Sequence, residues 1–263
     1  MYRIFETHAH YDDEQFDEDR EELLDRLKEE GIFKICNVGA SMETSRNSVK
    51  LAEARDEVVA AVGIHPDEIE ECDEAALAEL EAMAQGEKTV AIGEIGLDYY
   101  GESCDHELQK KAFWSQLELA AKLDMPVIIH SREACEDTLE IMKEYTRLIE
   151  EKGNKSRGVI HCFSYSKEIA QEYLKLGYFI GIGGVITFKN ARKVVEAIES
   201  VPMDRLVIET DCPYLAPVPF RGKRNDSGKL SYVVEKIAEI KGISPEEVAD
   251  LTRINAMELY RLS

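Results

Sequence analysis

The chain has 263 residues, with 32 Lys and Arg against 53 Asp and Glu, giving a formal net charge of −21. With 44% hydrophobic and 32% charged residues it has the balance of a soluble globular protein, not of a disordered one. No run of about 18 apolar residues is present to span a bilayer, and strong acidity repels polyanions, which argues against extensive wrapping of duplex nucleic acid.

Ile4–Phe5 opens the chain as a strand, and Phe16–Leu27 follows with apolar residues at three- and four-residue spacing, a helical period. Strand runs recur at Ile32–Val38 and Val58–Ile64, and the charged stretch Glu68–Glu81 reads as a further helical segment. Val90–Ile95 is the next strand, followed by a helix over His106–Leu123 that stops where Asp124-Met-Pro126 introduces a proline. Val127–Ile129, Val159–Ile160, Tyr178–Phe188 and Leu206–Ile208 complete eight strands, the seventh bending at Gly181-Ile-Gly-Gly184. Ser244-Pro-Glu-Glu247 reads as a capping box with proline at the first helical position. Alternating strands and helices fit either a doubly wound sheet or a closed (β/α)8 barrel, and the usual barrel needs about 250 residues. No linker or low-complexity stretch divides the sequence, so residues 1–263 are expected to form one domain.

The polar residues decide between the two architectures. His8, His10, His65, His130 and His161 all stand where a strand run ends, and Glu94, Asp98 and Asp211 occupy equivalent places. A barrel gathers its C-terminal strand ends at one mouth, whereas an open sheet would spread these groups along an edge. The expected fold is therefore a single (β/α)8 TIM barrel with a metal site at the C-terminal ends of the strands.

His8-x-His10 is the sharpest local motif, since residues i and i+2 of a strand project to the same side and can bind one ion. Joined by His130, His161, Glu94 and Asp211 it offers six ligands, too many for one ion with an open position but enough for two ions bridged by a carboxylate. Imidazoles with carboxylates suit zinc, manganese, cobalt or nickel, and the oxygen share keeps magnesium open. The six cysteines, at 36, 72, 104, 135, 162 and 212, form no CxxC pair, and the N-terminus carries no apolar signal region. Free thiols and a cytoplasmic location are expected. Cys162 and Cys212 adjoin candidate ligands, but strand alternation would turn their thiols away from the metals.

Several ordered motifs span almost the whole chain: Glu6-Thr-His-Ala-His10, Gly63-Ile-His-Pro66, Gly93-Glu-Ile-Gly-Leu-Asp98, His130-Ser-Arg132, His161-Cys-Phe163, Glu209-Thr-Asp-Cys-Pro213, and Tyr214-Leu-Ala-Pro217 with Arg221-Gly-Lys-Arg-Asn225. Through them the sequence resembles the TatD family of metal-dependent deoxyribonucleases, within the amidohydrolase-like metal-dependent hydrolases. The resemblance implies a TIM barrel with a binuclear site. His8, His10, Glu94 and Asp211 would hold one metal and Glu94, His130 and His161 the other, with Glu94 bridging. Two departures stand out: Glu6 replaces a frequent aspartate, and Asp226-Ser227-Gly228 follows Asn225 where many relatives have an acidic residue and proline, which suggests a looser loop.

A water bridging two cations loses a proton near neutral pH, and the cations also neutralise charge growing on a phosphodiester. Asp211 is the candidate general base. The resemblance places His65 near a substrate phosphate, and Arg132 would clamp phosphate through its planar fork. Arg221, with Lys223 and Arg224, lies in the loop after strand eight, where barrels often hold phosphate, and Phe220 is a candidate for stacking on an unpaired base. Asp98 is expected to orient a loop, and His106 to open a helix at the surface. The resulting expectation is a cytoplasmic, monomeric exonuclease acting on single-stranded DNA ends, with no membrane partner. The alternative is a hydrolase of carboxylic esters or amides, such as an aminoacyl-tRNA deacylase, on the same two metals. A non-catalytic scaffold is disfavoured because all six ligands are present.

Overall fold

Strands β1 (Ile4–Ala9), β2 (Ile32–Val38), β3 (Val58–Val62), β4 (Thr89–Asp98), β5 (Val127–Arg132), β6 (Gly158–Ile160), β7 (Phe179–Ile182) and β8 (Leu206–Ile208) pair in parallel, each with the next. The computed structural model describes residues 2–100 and 105–262. The circle closes where Ala9 bridges Cys212 in parallel, with the Asp211 N–H donating to the His8 carbonyl at 3.0 Å and the His10 N–H to the Cys212 carbonyl at 2.9 Å. The architecture is a (β/α)8 TIM barrel, as the strand-end polar residues required.

Helices α1 (Arg20–Glu29), α2 (Met42–Ala54), α3 (Glu74–Ala84), α4 (His106–Leu123), α5 (Cys135–Glu151), α6 (Lys167–Lys175), α7 (Arg192–Ser200) and α8 (Leu230–Lys241) follow the strands in turn. A ninth, α9 (Pro245–Leu259), begins with Ser244 accepting the Glu247 N–H at 3.1 Å and Pro245 at the first helical position. Period-2 alternation divides the apolar side chains between two cores. Phe5, Val59, Ala61, Ile128, Val159, Phe179 and Val207 fill the barrel interior, joined by Leu259 and Tyr260 from the end of α9. Their strand neighbours Ala60, Val62, Val127, Ile129, Leu206 and Ile208 pack outward against the helices. The lower barrel is thus plugged by side chains, and only the C-terminal strand ends remain for chemistry.

Three sequence expectations shift. The seventh strand ends at Ile182, and Gly184–Thr187 forms a 3-10 turn in place of the extended run to Phe188. The Gly184 backbone packs so tightly on Leu215 and Pro217 that a Cβ would lie 2.3 Å from the Leu215 carbonyl oxygen. The segment Glu68–Glu81 is broken: a 3-10 turn covers Pro66–Glu71, and α3 restarts behind Asp73, whose side chain accepts the Ala76 N–H. Helix α1 begins at Arg20, later than Phe16, because Glu14–Phe16 forms its own 3-10 turn.

Cys36, Cys72, Cys135, Cys162 and Cys212 are free thiols, and Cys104 lies outside the described residues. No described helix is long and apolar enough to cross a membrane.

Candidate metal centre

His8, at the end of β1, and His10, just beyond it, bring their Nε2 atoms to 3.1 Å. The Nδ1 of His10 lies 2.8 Å from the Val38 carbonyl oxygen, which can only accept, so Nδ1 carries a proton and Nε2 is the atom that faces the site. From β4, Glu94 Oε2 approaches His8 Nε2 at 3.4 Å and His10 Nε2 at 3.9 Å. Asp211 Oδ1 completes this set at 3.3 Å from His10 and 3.7 Å from His8. A tetrahedron with metal–ligand bonds of about 2.0–2.2 Å has edges of roughly 3.3–3.6 Å, close to these separations.

The second Glu94 oxygen serves a second set. Oε1 lies 3.2 Å from His161 Nε2 and 2.8 Å from His130 Nδ1. The two sets therefore meet in one carboxylate, and the rings of His8 and His161 stack at 3.7 Å between centroids. His8, His10 and Asp211 lie close enough together to share one divalent ion, as do His8, Glu94 and His161, whereas His130 groups with His65 and Asp98.

Burial opposes every charge here, and the cluster overcomes it by mutual pairing. Burial pushes the carboxyl of Glu94 upward, but the charges of His161 and His8 with hydrogen bonds from His130 and His161 hold it well below the ordinary range. Asp211 is lowered similarly, burial being outweighed by His10, His161 and His8. Burial works against a charged His10, yet Asp211 and Glu94 raise it to about 9. Asp98 and Glu94 outweigh burial at His130, also bringing it to about 9. Protons on these imidazoles occupy the role that divalent cations would take.

Outer partners fix the ligands in place. His161 Nδ1 lies 3.1 Å from Glu209 Oε1, and His130 Nε2 lies 3.1 Å from Asp98 Oδ2. Asp98 also accepts the Tyr100 N–H at 2.8 Å, consistent with an orienting role. Glu6 is fully buried beneath His8, where burial pushes it up to about 8 against four donors that favour its anion. Those donors are the N–H groups of His8 (3.1 Å) and Thr210 (2.9 Å) and the hydroxyls of Thr210 (2.7 Å) and Ser227 (2.9 Å). Through Thr210 and Ser227 this side chain spans the closing seam between β1 and the segment after β8. The loop after Asn225 is accordingly tight, contrary to expectation: Ser227 is buried, and Asp226 accepts the Gly228 N–H at 3.0 Å.

A cavity of about 550 Å³ opens above the cluster. His65 lines it, with Nδ1 accepting the Asp67 N–H at 3.2 Å and Nε2 3.9 Å from Glu94 Oε1. Burial lowers its pKa to about 4, so the ring is neutral at pH 7 and presents an N–H at Nε2. Arg132 also lines the cavity, 3.8 Å from Asp98 and stacked over the Tyr100 ring at 3.7 Å.

Arg221 does not line the cavity; its guanidinium stacks on Phe188 at 4.6 Å. Arg224 is consumed by Asp19 at 2.6 Å, and Phe220 packs on Tyr232 at 5.3 Å. The thiol of Cys162 is not turned away: Sγ lies within 4.8 Å of ligand atoms of His161 and Asp211. Strand alternation fails there because β6 ends at Ile160 and Cys162 takes a left-handed backbone, φ 44°. His106 opens α4, its ring stacked on Tyr99 at 3.6 Å.

Sequence reasoning assigned no role to Glu209 or to the rim of Asp12, Asp13, Asp67, Glu68 and Tyr214. Glu209 carries a readable signal, two residues before Asp211 on the same strand exit. The rim residues do not, since they come from loops.

A family model described as "TatD related DNase" matches residues 5–261. The chain is 42% identical to the uncharacterized metal-dependent hydrolase YabD of Bacillus subtilis strain 168, covering 99% of this chain and 100% of that protein. It is 35% identical to the uncharacterized metal-dependent hydrolase YcfH of Escherichia coli K12, over 98% and 96% of the two chains. The crystal structure of YjjV, a TatD homologue from Escherichia coli K12, superposes with a TM-score of 0.92 at 32% identity over 99% of both chains. With this match along its length and a metal-binding cluster at the strand ends, the chain belongs to the TatD family of metal-dependent hydrolases.

Proposed function

We propose that this hydrolase cleaves phosphodiester bonds of DNA, working inward from single-stranded ends. The observation that carries the reading is the division of Glu94 between two donor sets, Oε2 toward His8 and His10 and Oε1 toward His130 and His161. His8, His10, Glu94 and Asp211 would hold one divalent ion, and Glu94, His130 and His161 another. Such a pair supplies an acidified water and neutralises charge on a phosphoryl group. The family description, which names a DNase, supports DNA as the substrate.

The chain's own groups divide the remaining work. Asp211 directs Oδ1 at His10 and keeps a second oxygen, without a hydrogen bond among the described residues, to take the proton of an attacking water. His65 Nε2–H donates to a phosphate oxygen at the mouth, and its neutrality at pH 7 means that it donates without adding charge. Arg132 binds phosphate through its planar fork. Glu209 and Asp98 hold His161 and His130 in orientation.

One observation favours a second reading, hydrolysis of carboxylic esters or amides. The cavity is rimmed by Asp12, Asp13, Asp67 and Glu68, with Arg132 as its one lysine or arginine among the described residues. Such a rim suits a substrate bearing an ammonium group, such as an aminoacyl ester. Metal-replete protein incubated in parallel with labelled single-stranded DNA and mischarged tRNA separates the two. Shortening of DNA supports the nuclease; deacylation with DNA left intact overturns it.

A further inference from the structure

An acidic rim raises the question of what attracts a DNA end into the cavity. Within the cavity backbone electrostatics are poorly supplied, since among the described residues Arg132 is the one cationic side chain lining it apart from histidines. The loop after β8 carries exposed Arg221 and Lys223, but neither lines the cavity. An acidic rim favours a contact of another kind.

Six large apolar or aromatic side chains are exposed among the described residues; of the two aromatic ones, Tyr214 lines the cavity and Tyr100 lies against Arg132, which lines it. Tyr100 is 61% exposed and Tyr214 51%. Each is tied by its backbone to the polar cluster: the Tyr100 N–H donates to Asp98 at 2.8 Å, and the Tyr214 N–H to the Asp211 carbonyl at 2.9 Å. They follow β4 and β8, which stand across the barrel from one another in the strand order. One ring is already held flat, with the Arg132 guanidinium 3.7 Å from the Tyr100 centroid. The other is anchored at its hydroxyl, which donates to Asp13 at 3.0 Å while the ring stays open to solvent.

A ring fixed at one edge or face and exposed elsewhere loses little rotational freedom when a flat partner stacks on it. Every nucleobase offers such a face, so stacking is tolerant of sequence but requires an unpaired base. We propose that Tyr100 and Tyr214 are the nucleobase contacts of this site and that stacking on them, more than backbone attraction, holds the DNA end. The inference rests on the nuclease reading and adds to it the basis for single-strand preference.

The test compares wild type with Tyr100→Ala, Tyr214→Ala and the corresponding Phe variants. Substrates are single-stranded oligonucleotides, the same oligonucleotides with an abasic nucleotide at one or the other terminus, and bis(p-nitrophenyl) phosphate, which has no base. Each Ala variant should raise KM for the normal oligonucleotide roughly tenfold, with kcat near wild type and, for Tyr214→Ala, small-diester hydrolysis near wild type as well. Phe should restore KM at position 100. An abasic terminus should raise the wild-type KM and abolish the penalty of the Ala substitutions. Unchanged KM in both Ala variants, or an equal penalty on the abasic substrates, overturns the stacking proposal and leaves the nuclease reading standing. Wild-type protein that hydrolyses the small diester but leaves every oligonucleotide intact overturns the nuclease reading and the stacking with it.

Discussion

Glu209 Oε1 sits 3.1 Å from His161 Nδ1 and accepts the backbone N–H of Cys162 at 2.5 Å, so one buried carboxylate aims the ring and fixes the turn that carries it. Space for it is kept by Gly181, where a Cβ would stand 2.5 Å from Glu209 Oε2. Carboxylates in this position raise the basicity of a ligating imidazole and lock its orientation. Glu209→Gln should therefore weaken metal binding by roughly 10–100-fold. Chelator competition reads this directly, and an affinity equal to wild type would remove the orienting role.

Removing the shared carboxylate is a harsher test. Glu94→Ala strips an oxygen from each donor set, and the protein should lose bound metal and hydrolysis together. Elemental analysis of purified protein decides the matter: retention of two metal equivalents contradicts the bridging assignment.

Metal uptake should be coupled to proton release. The pKa values near 9 at His10 and His130 mean that both rings hold protons in the metal-free chain at pH 7, while a ligating imidazole must be neutral. Affinity should therefore rise with pH up to about 9, the folded-state value, and fall as pH drops below it. The same raised values stabilise the metal-free fold fully at and below the unfolded histidine pKa near 6.5, and this contribution fades as pH climbs through about 9. Calorimetry at pH 7 in buffers of different ionisation enthalpy should show protons leaving. A buffer-independent heat would count against the coupling.

Ser227 donates to Glu6 at 2.9 Å and shares a hydrogen bond with the Tyr11 hydroxyl at 2.7 Å, all three side chains being buried. Ser227→Ala leaves a buried carboxylate oxygen and a phenol short of a partner, a loss of about 1–3 kcal/mol. Urea unfolding of the metal-free protein measures it; a shift below about 0.5 kcal/mol, within the range of ordinary surface substitutions, would show the brace to be dispensable.

Arg132 and Arg221 should behave differently. Arg221→Glu should leave KM for single-stranded DNA unchanged at low salt, since the residue stacks on Phe188 away from the cavity lining. Arg132→Lys should raise KM, because an ammonium replaces neither the planar fork nor the stack on Tyr100. A large effect at Arg221 in steady-state kinetics would restore the loop as a DNA contact.

The barrel and its ligands were legible because strand periodicity and strand-end placement are local properties. His8, His10, Glu94, His130, His161 and Asp211 each follow or end an apolar run, and parallel pairing alone brings them to one mouth. What the sequence concealed depends on longer paths of chain. Arg221 reads as a free cation until the 3-10 turn after β7 places Phe188 beneath it. Cys162 reads as outward-facing until β6 ends two residues earlier than alternation assumes. The acidic rim and Tyr214 come from loops, whose charges show no periodicity to reveal that they share a cavity.

The seam between β1 and β8 has a bearing on biosynthesis. Glu6 takes three of its hydrogen bonds from Thr210 and Ser227, so β1 waits for a segment synthesised well after it. Until then β1 has only β2 beside it, Glu6 lacks most of its donors, and Asp211 is missing from the His8–His10 pair. A nascent chain halted before β8 would hold Glu94, His130 and His161 without the partners that complete the first donor set. The ligand cluster at the barrel mouth therefore cannot be completed before β8 and the segment after it have been synthesised.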